Sequence, residues 1–213
     1  MPAAIPSRKN TRFWNFMAKR YAKSQIADQA SYDRKLDETR VLLRPDMTLL
    51  EIGAGTCSTA LVHAPYVARI DAVDLSQNML DIGAEKARVA GIDNITFTQS
   101  SAEEYRAEPE SYDMILALSV LHLVQDHRAT LTKLHGLMKP GGYLVTSTVC
   151  MADMMPAFKV ISVPGHALGL LPYLSYFRAD TLLNDMATAG FETLTHWRPG
   201  PKSAFFVIAR KPG

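Results

Sequence analysis

A chain of 213 residues, 47% hydrophobic and 21% charged, is long enough to bury one substantial core and has the composition of a soluble globular domain. Its formal net charge of +2 is too small to point to nucleic acid as the main partner. The charge is nevertheless uneven: residues 1–44 hold ten Lys/Arg against four acids, a surplus of six, which leaves −4 for the remainder. A basic leading segment can attract an acidic substrate or an anionic membrane surface, although a solvated helical face carries the same composition more often.

Met1 to Phe16 has no apolar core of the signal-peptide type. The two cysteines, Cys57 and Cys150, lie outside any CxxC pair, which argues against a zinc site or a disulfide framework, so no metal is expected. A reducing cytoplasm is the compartment such usage suits. The richest apolar stretch, Val160 to Phe177, is broken by Pro164, Gly165, His166 and Pro172. The expectation is no stable membrane insertion, with peripheral contact allowed.

Along the chain, Thr11 to Leu43 reads as helices. Phe13, Trp14, Phe16 and Met17 form a first apolar stripe, Tyr21 to Ser31 a break, and Tyr32, Leu36, Thr39 and Leu43 a second helical spacing. Pro45-Asp46 stops that segment. Thr48 to Ile52 is a short apolar run ending in glycines, the pattern of a buried parallel strand feeding a helix from Ser58 to Ala64. The pattern repeats with a strand at Arg69–Asp74 and a helix at Ser76–Ala90, capped by Ser76 and closed by Gly91. Strands follow at Ile95–Gln99 and Tyr112–Leu118, then a helix from about Asp126 to Met138. Pro140-Gly-Gly142 turns the chain into a fifth strand, Tyr143–Thr148. After a helix at about Ala179–Ala189, two strands, Phe191–Trp197 and Ala204–Arg210, are joined too tightly to be anything but antiparallel. This order predicts an α/β fold: a doubly wound, mostly parallel seven-stranded Rossmann-like sheet, helices on both faces, ending in an antiparallel hairpin. Residues 1–44 are expected to form an N-terminal helical cap, and 45–213 the Rossmann-like domain with a lid insert at about 151–178.

Gly53-Ala54-Gly55 sits between a strand and a helix, where the first turn of a doubly wound sheet binds nucleotides. Alone, the glycine pair is an ambiguous tight turn. Asp74 follows Glu51 by 23 residues, at the end of the second strand, where a carboxylate can hydrogen-bond ribose hydroxyls. A dinucleotide fingerprint would put a third glycine at position 58, where Ser58 stands, and does not ask for the acid Glu51 before the loop.

These residues resemble the class I S-adenosylmethionine-dependent methyltransferases, from about Tyr32 to Lys211. Leu49-Leu-Glu-Ile-Gly-Ala-Gly-Thr-Cys57 is similar to their first motif, in which an acid and glycines surround the methionine part of the cofactor. Val73-Asp-Leu-Ser-Gln-Asn-Met79 is similar to the second, which implies Asp74 on the ribose and Met79 near the adenine. Gln99-Ser-Ser-Ala-Glu103 resembles the adenine-edge motif, and Tyr112 to His122 the motif lining the methyl-transfer site. Leu137-Met-Lys-Pro-Gly-Gly142 matches the turn before strand five. Within the class the likeness is closest to the ubiquinone/menaquinone C-methylase-like small-molecule group. The resemblance implies S-adenosyl-L-methionine as cofactor, held by Glu51, Gly53, Ala54, Gly55, Asp74, Leu75, Met79, Ser101, Ala102, Glu103, Leu118 and Ser119. Two positions depart: Cys57 stands where a third glycine is frequent, and Ser101 where many relatives carry Asp.

Methyl transfer from a sulfonium is an in-line displacement, so the protein supplies positioning, water exclusion and, where needed, a proton acceptor. His122, just past strand four, is the candidate catalytic base. His127, His135, His166 and His196 have weaker positional arguments. Trp14, Tyr21, Tyr32 and Cys150 are candidates for the acceptor pocket, Cys150 alternatively as a nucleophile or soft-metalloid ligand. The methionine-rich insert suits a lipophilic acceptor, a dimer interface or plain lid packing equally. The expected partner is a small-molecule methyl acceptor, on a monomer or homodimer. The alternatives are a catalytically silent S-adenosylmethionine-binding regulator and a nicotinamide-dependent oxidoreductase.

Overall fold

The computed structural model describes residues 6–213. Helices α1 (Pro6–Lys23) and α2 (Gln29–Arg40) lead into β1 (Thr48–Ile52), α3 (Ser58–His63), β2 (Arg69–Asp74), α4 (Gln77–Ala90), β3 (Ile95–Gln99) and β4 (Tyr112–Leu118). Next come α5 (His127–Leu137), β5 (Met138–Thr148), the single turn α6 (Met151–Met154), α7 (Lys159–Ala167), α8 (Ala179–Thr188), β6 (Glu192–Trp197) and β7 (Phe205–Arg210). The seven strands form one sheet in the order β3-β2-β1-β4-β5-β7-β6. The first five are mutually parallel, and β7 pairs antiparallel with both β5 and β6. The order reverses beside β1, between the strands carrying the glycine loop and His122's loop, which opens a crevice at their carboxyl ends.

Alternate residues of the central strands feed two separate cores. Leu49, Met114 and Leu116 pack with Ala60 of α3, Leu80 of α4 and Phe206. Leu50, Ile52, Ile115 and Ala117 pack with Leu131 and Leu134 of α5 and Leu182 and Met186 of α8. Burial on both faces is why these strands read as unbroken apolar runs rather than alternating ones. Caps mark the helix ends. The hydroxyl of Ser76 accepts from Met79 N–H at 3.2 Å, and the carboxylate of Asp126 accepts from Ala129 N–H at 2.9 Å. Gly91 closes α4 at φ +66°.

Three local expectations are corrected. The Pro140-Gly-Gly142 segment lies inside β5 rather than before it: Tyr112 pairs with Met138 and Met114 with Tyr143, so residues 139–142 bow out of register. Gly142 is required there because a Cβ would stand 2.6 Å from Met138 Cγ and 2.9 Å from the Asp113 carbonyl oxygen. Phe16 is 84% exposed and leaves the stripe; Asn10, Trp14, Met17 and Ala18 carry the inward face of α1 instead. The helical break is also shorter, covering residues 24–28. Helix α1 docks on α4 through Asn15, whose Oδ1 accepts from Ser76 Oγ at 2.6 Å and whose carbonyl accepts from Asn78 Nδ2 at 3.0 Å.

Candidate active site

The loop after β1 turns on three left-handed residues, Gly53 (φ +65°), Gly55 (φ +54°) and Cys57 (φ +56°). Gly53 is fixed twice over, by that φ and because a Cβ would lie 2.6 Å from Val120 Cγ2. Cys57 holds the same conformation without being glycine. The room for it comes from α4, where a Cβ on Gly83 would meet Cys57 Sγ at 2.7 Å. The departure at 57 is therefore paired with a glycine that no sequence motif singles out.

Two carboxyl groups underlie this loop. Asp74, at the end of β2, accepts from Gly55 N–H at 2.9 Å on Oδ2 and from Ser76 N–H at 2.8 Å on Oδ1, tying the β1 loop to the start of α4. Burial raises its pKa against those two hydrogen bonds. Glu51 is fully enclosed. Burial raises it to about 8, the nearby Asp74 adds to the rise, and the Ala60 N–H that it accepts opposes both. Its Oε2 has no hydrogen-bond partner. A neutral, half-satisfied carboxyl in a closed site is a group that a cation would restore to its charged form.

Above the loop lies a cavity of about 840 Å³, toward the upper end of the roughly 300–1,000 Å³ usual for small-molecule sites. It brings together Gly53, Gly55, Asp74, Leu75, Met79, Ser101, Ala102, Glu103, Leu118, Ser119 and His122 with Trp14 and Tyr21 of α1. The Tyr21 ring stands over the loop: a Cβ on Gly55 would be 3.8 Å from its Cε1. Burial raises the Tyr21 phenol pKa first, and the charges of Asp74 and Glu51 follow. Glu51 and Ala54 sit behind the loop, where Ala54 N–H donates to the Val73 carbonyl at 3.0 Å. Tyr32 and Cys150 do not reach the cavity. Tyr32 is hydrogen-bonded to Thr59, and Cys150 is buried beside α8 with its thiol pushed up to about 12 by burial. A thiol held so high is no nucleophile.

Of the six histidines, His122 alone lines the cavity. Burial lowers it to about 4, so the ring is neutral at physiological pH, and its Nδ1 is buried without a hydrogen-bond partner. Its carbonyl accepts from Ser175 N–H at 2.8 Å, joining the β4 loop to the segment after α7. His127 instead bonds Asp185 at 2.7 Å between α5 and α8. Ser101 Oγ accepts from Glu104 N–H at 3.1 Å, and Glu103 accepts from Gln125 N–H at 3.0 Å, so both are already engaged in shaping the rim.

Several lining residues carry no signal in the sequence. Lys133 of α5 donates to the carbonyls of Ala102 and Glu103 at 2.8 and 3.2 Å, and burial lowers it to about 8. Asn10 accepts from Tyr173 N–H at 3.0 Å, bringing Pro172 and Leu174 to the cavity wall. No local pattern marks any of these residues; each arrives by tertiary packing.

A methyltransferase-domain family model matches residues 18–196. A hybrid polyketide–nonribosomal peptide synthetase from an Acremonium species is 30% identical over 80% of this chain, which spans 4% of that protein's length. The ubiquinone biosynthesis O-methyltransferase of Saccharophagus degradans is 28% identical, the match covering 68% of this chain and 63% of the enzyme. Among solved structures, a [4+2]-cyclase superposes with a TM-score of 0.76 at 18% identity, covering 100% of this chain and 98% of that one. The geranyl diphosphate C-methyltransferase of Streptomyces coelicolor superposes at 0.73 with 16% identity, covering 99% of both chains. With a family match over most of its length and a glycine loop, ribose-type acid and terminal hairpin in the matching order, the chain belongs to the class I S-adenosylmethionine-dependent methyltransferases.

Proposed function

We propose that this chain methylates a small lipophilic molecule bound between the glycine loop and the segment after α7. The observation that carries the reading is Asp74 beside the glycine loop, with Glu51 buried behind that loop, at the inner end of a cavity that continues to His122 and Leu174. The residues fit S-adenosylmethionine. The unpartnered Glu51 Oε2 suits an ammonium group, Asp74 retains lone pairs for hydroxyls beyond its two backbone bonds, and Leu75 and Met79 offer apolar contact to a purine. When bound, that cofactor supplies an electrophilic methyl on a sulfonium. Tyr21 and Trp14 line the cavity on the loop side and would exclude water as part of the proposed helical cap, described from residue 6 onward, while Pro172 and Leu174 come from the proposed lid at 151–178. His122, neutral and on the cavity wall, takes the proton that a hydroxyl or amine acceptor gives up as its lone pair captures the methyl.

The wall itself supports a lipophilic acceptor: Leu118, Val120, Leu123, Val124 and Leu174 line the cavity beyond the loop. Two unpaired, buried cysteines suit a reducing compartment such as the cytoplasm. Calorimetric titration with S-adenosylhomocysteine, followed by a labelled-methyl screen over quinols, polyprenyl compounds and hydrophobic amines, tests the reading. Micromolar binding with transfer to an apolar acceptor is expected. Absence of S-adenosylhomocysteine binding at millimolar concentration overturns it.

A further inference from the structure

Outside the cavity, two unusual surfaces meet. The outward face of α1 carries Arg8, Lys9, Arg12, Lys19, Arg20 and Lys23, all exposed, with no acid anywhere in the helix. The exposed Phe16 lies among them. Helix α7 and the turn after it present Val160, Ile161, Val163, Leu168 and Leu170, each 58–79% exposed. No Asp or Glu occurs between Asp153 and Asp180. Lys9 Nζ donates to the Ala167 carbonyl at 2.7 Å, so the basic helix adjoins the apolar one.

A solvated face does not explain α7. Five large aliphatic side chains close together in sequence and turned outward are costly in water, and such a cluster marks a contact surface. Its inward side is held by Ser162 Oγ to Tyr176 Oη at 2.6 Å, by Leu171 against Gly165 and by the His166 ring against Tyr173, none of which covers the outward aliphatic side chains. Charge decides the occupant. A neighbouring stripe of six cations calls for an anionic partner, and an exposed aliphatic cluster calls for hydrocarbon; a bilayer with anionic headgroups offers both at once. No helix among the described residues is long and apolar enough to cross a membrane, which leaves contact from one side.

We propose that α1 and α7 together form a docking surface for anionic lipid bilayers. The aliphatic side chains of α7 enter the headgroup boundary while the α1 cations meet lipid phosphates. The same chain segment then touches the cavity wall at Pro172 and Leu174, so a bilayer on its outer side lies next to the acceptor entrance. Docking itself does not depend on which acceptor is used, or on methyl transfer at all.

The test is co-sedimentation of the full chain with sucrose-loaded vesicles of pure phosphatidylcholine or with about 30% phosphatidylglycerol, at low and high salt. We expect at least about tenfold stronger partitioning onto the anionic vesicles, falling as salt rises. Arg12→Gln/Lys19→Gln/Arg20→Gln/Lys23→Gln is expected to remove the anionic preference. Val160→Asp/Val163→Asp/Leu168→Asp is expected to lower binding to both vesicle types. Unchanged S-adenosylhomocysteine affinity and thermal unfolding of both variants show that the folded site is intact. Failure of the wild type to sediment with anionic vesicles overturns the proposal. So does wild-type binding by both variants, or a dimer in sedimentation velocity that the α7 variant converts to monomer.

Discussion

Replacing Glu51 by Gln keeps the side-chain volume and removes an ionisation buried behind the glycine loop, whose cost the fold must bear unaided. The carboxyl sits at about 8 in the fold against an ordinary 4.5. A group raised in this way contributes stability that is complete below pH 4.5 and is lost as pH climbs toward 8. Between those values each pH unit costs about 1.4 kcal/mol, so from pH 5 to pH 7 the wild type should lose about 2–3 kcal/mol that the Glu51→Gln variant does not lose. Both proteins keep the buried histidines, so the difference between their curves isolates this carboxyl. Urea unfolding at pH 5, 6 and 7 reads it. With a slope of roughly 2–3 kcal/mol/M, the gap between the two midpoints should widen by about 1 M. The same substitution should weaken S-adenosylhomocysteine binding, because an amide does not attract an ammonium group as a carboxylate does. Stability curves that stay parallel from pH 5 to pH 7 would refute the reasoning.

His63 is fully buried with neither ring nitrogen bonded, and burial, then Arg40, lowers it to about 4. His63 should therefore account for about 3 kcal/mol of the stability lost as pH falls from 6.5 toward 4, and His63→Leu should shrink that limb by this amount, leaving the part due to His122; an unchanged limb in thermal unfolding would point elsewhere. Gly53→Ala forces a Cβ against Val120 at a left-handed backbone, so chemical denaturation should show a loss of about 2–3 kcal/mol, and wild-type stability would disprove the clash. With His122 held near 4, turnover should show no rising limb around pH 6.5, and His122→Ala should lower kcat with little change in cofactor affinity. A pH–rate profile climbing through about 6.5, or an undiminished kcat in the variant, would remove His122 as the base.

The strands are the most legible part of the molecule. Thr48–Ile52, Arg69–Asp74, Ile95–Gln99 and Tyr112–Leu118 have the same limits in the chain and in the fold. Short apolar runs bounded by glycine and acid admit few alternatives when both sheet faces are covered. Phe16 falls on the wrong side because an aromatic residue on a helix says nothing about which way the helix lies. The bow at residues 139–142 is hidden because Pro140 and two glycines read as a turn, whereas the excursion is held by pairing on both sides of it. The glycine loop and Asp74 can be read because their chemistry is local in sequence. Lys133, Asn10 and Leu174 reach the same cavity from distant elements, and nothing near them in the chain announces it.

The contact between Cys57 and Gly83 makes two positions, 26 residues apart, into a single shared volume. Neither can grow while the other keeps its present size. A chain with glycine at 57 would free helix α4 to carry a methyl at 83, and the reverse exchange arrives at the arrangement seen here. Order matters on such a path, since the side chain at one site must shrink before the other can enlarge. A change at either position therefore has a history written into it, and its tolerance depends on what the opposite residue already is.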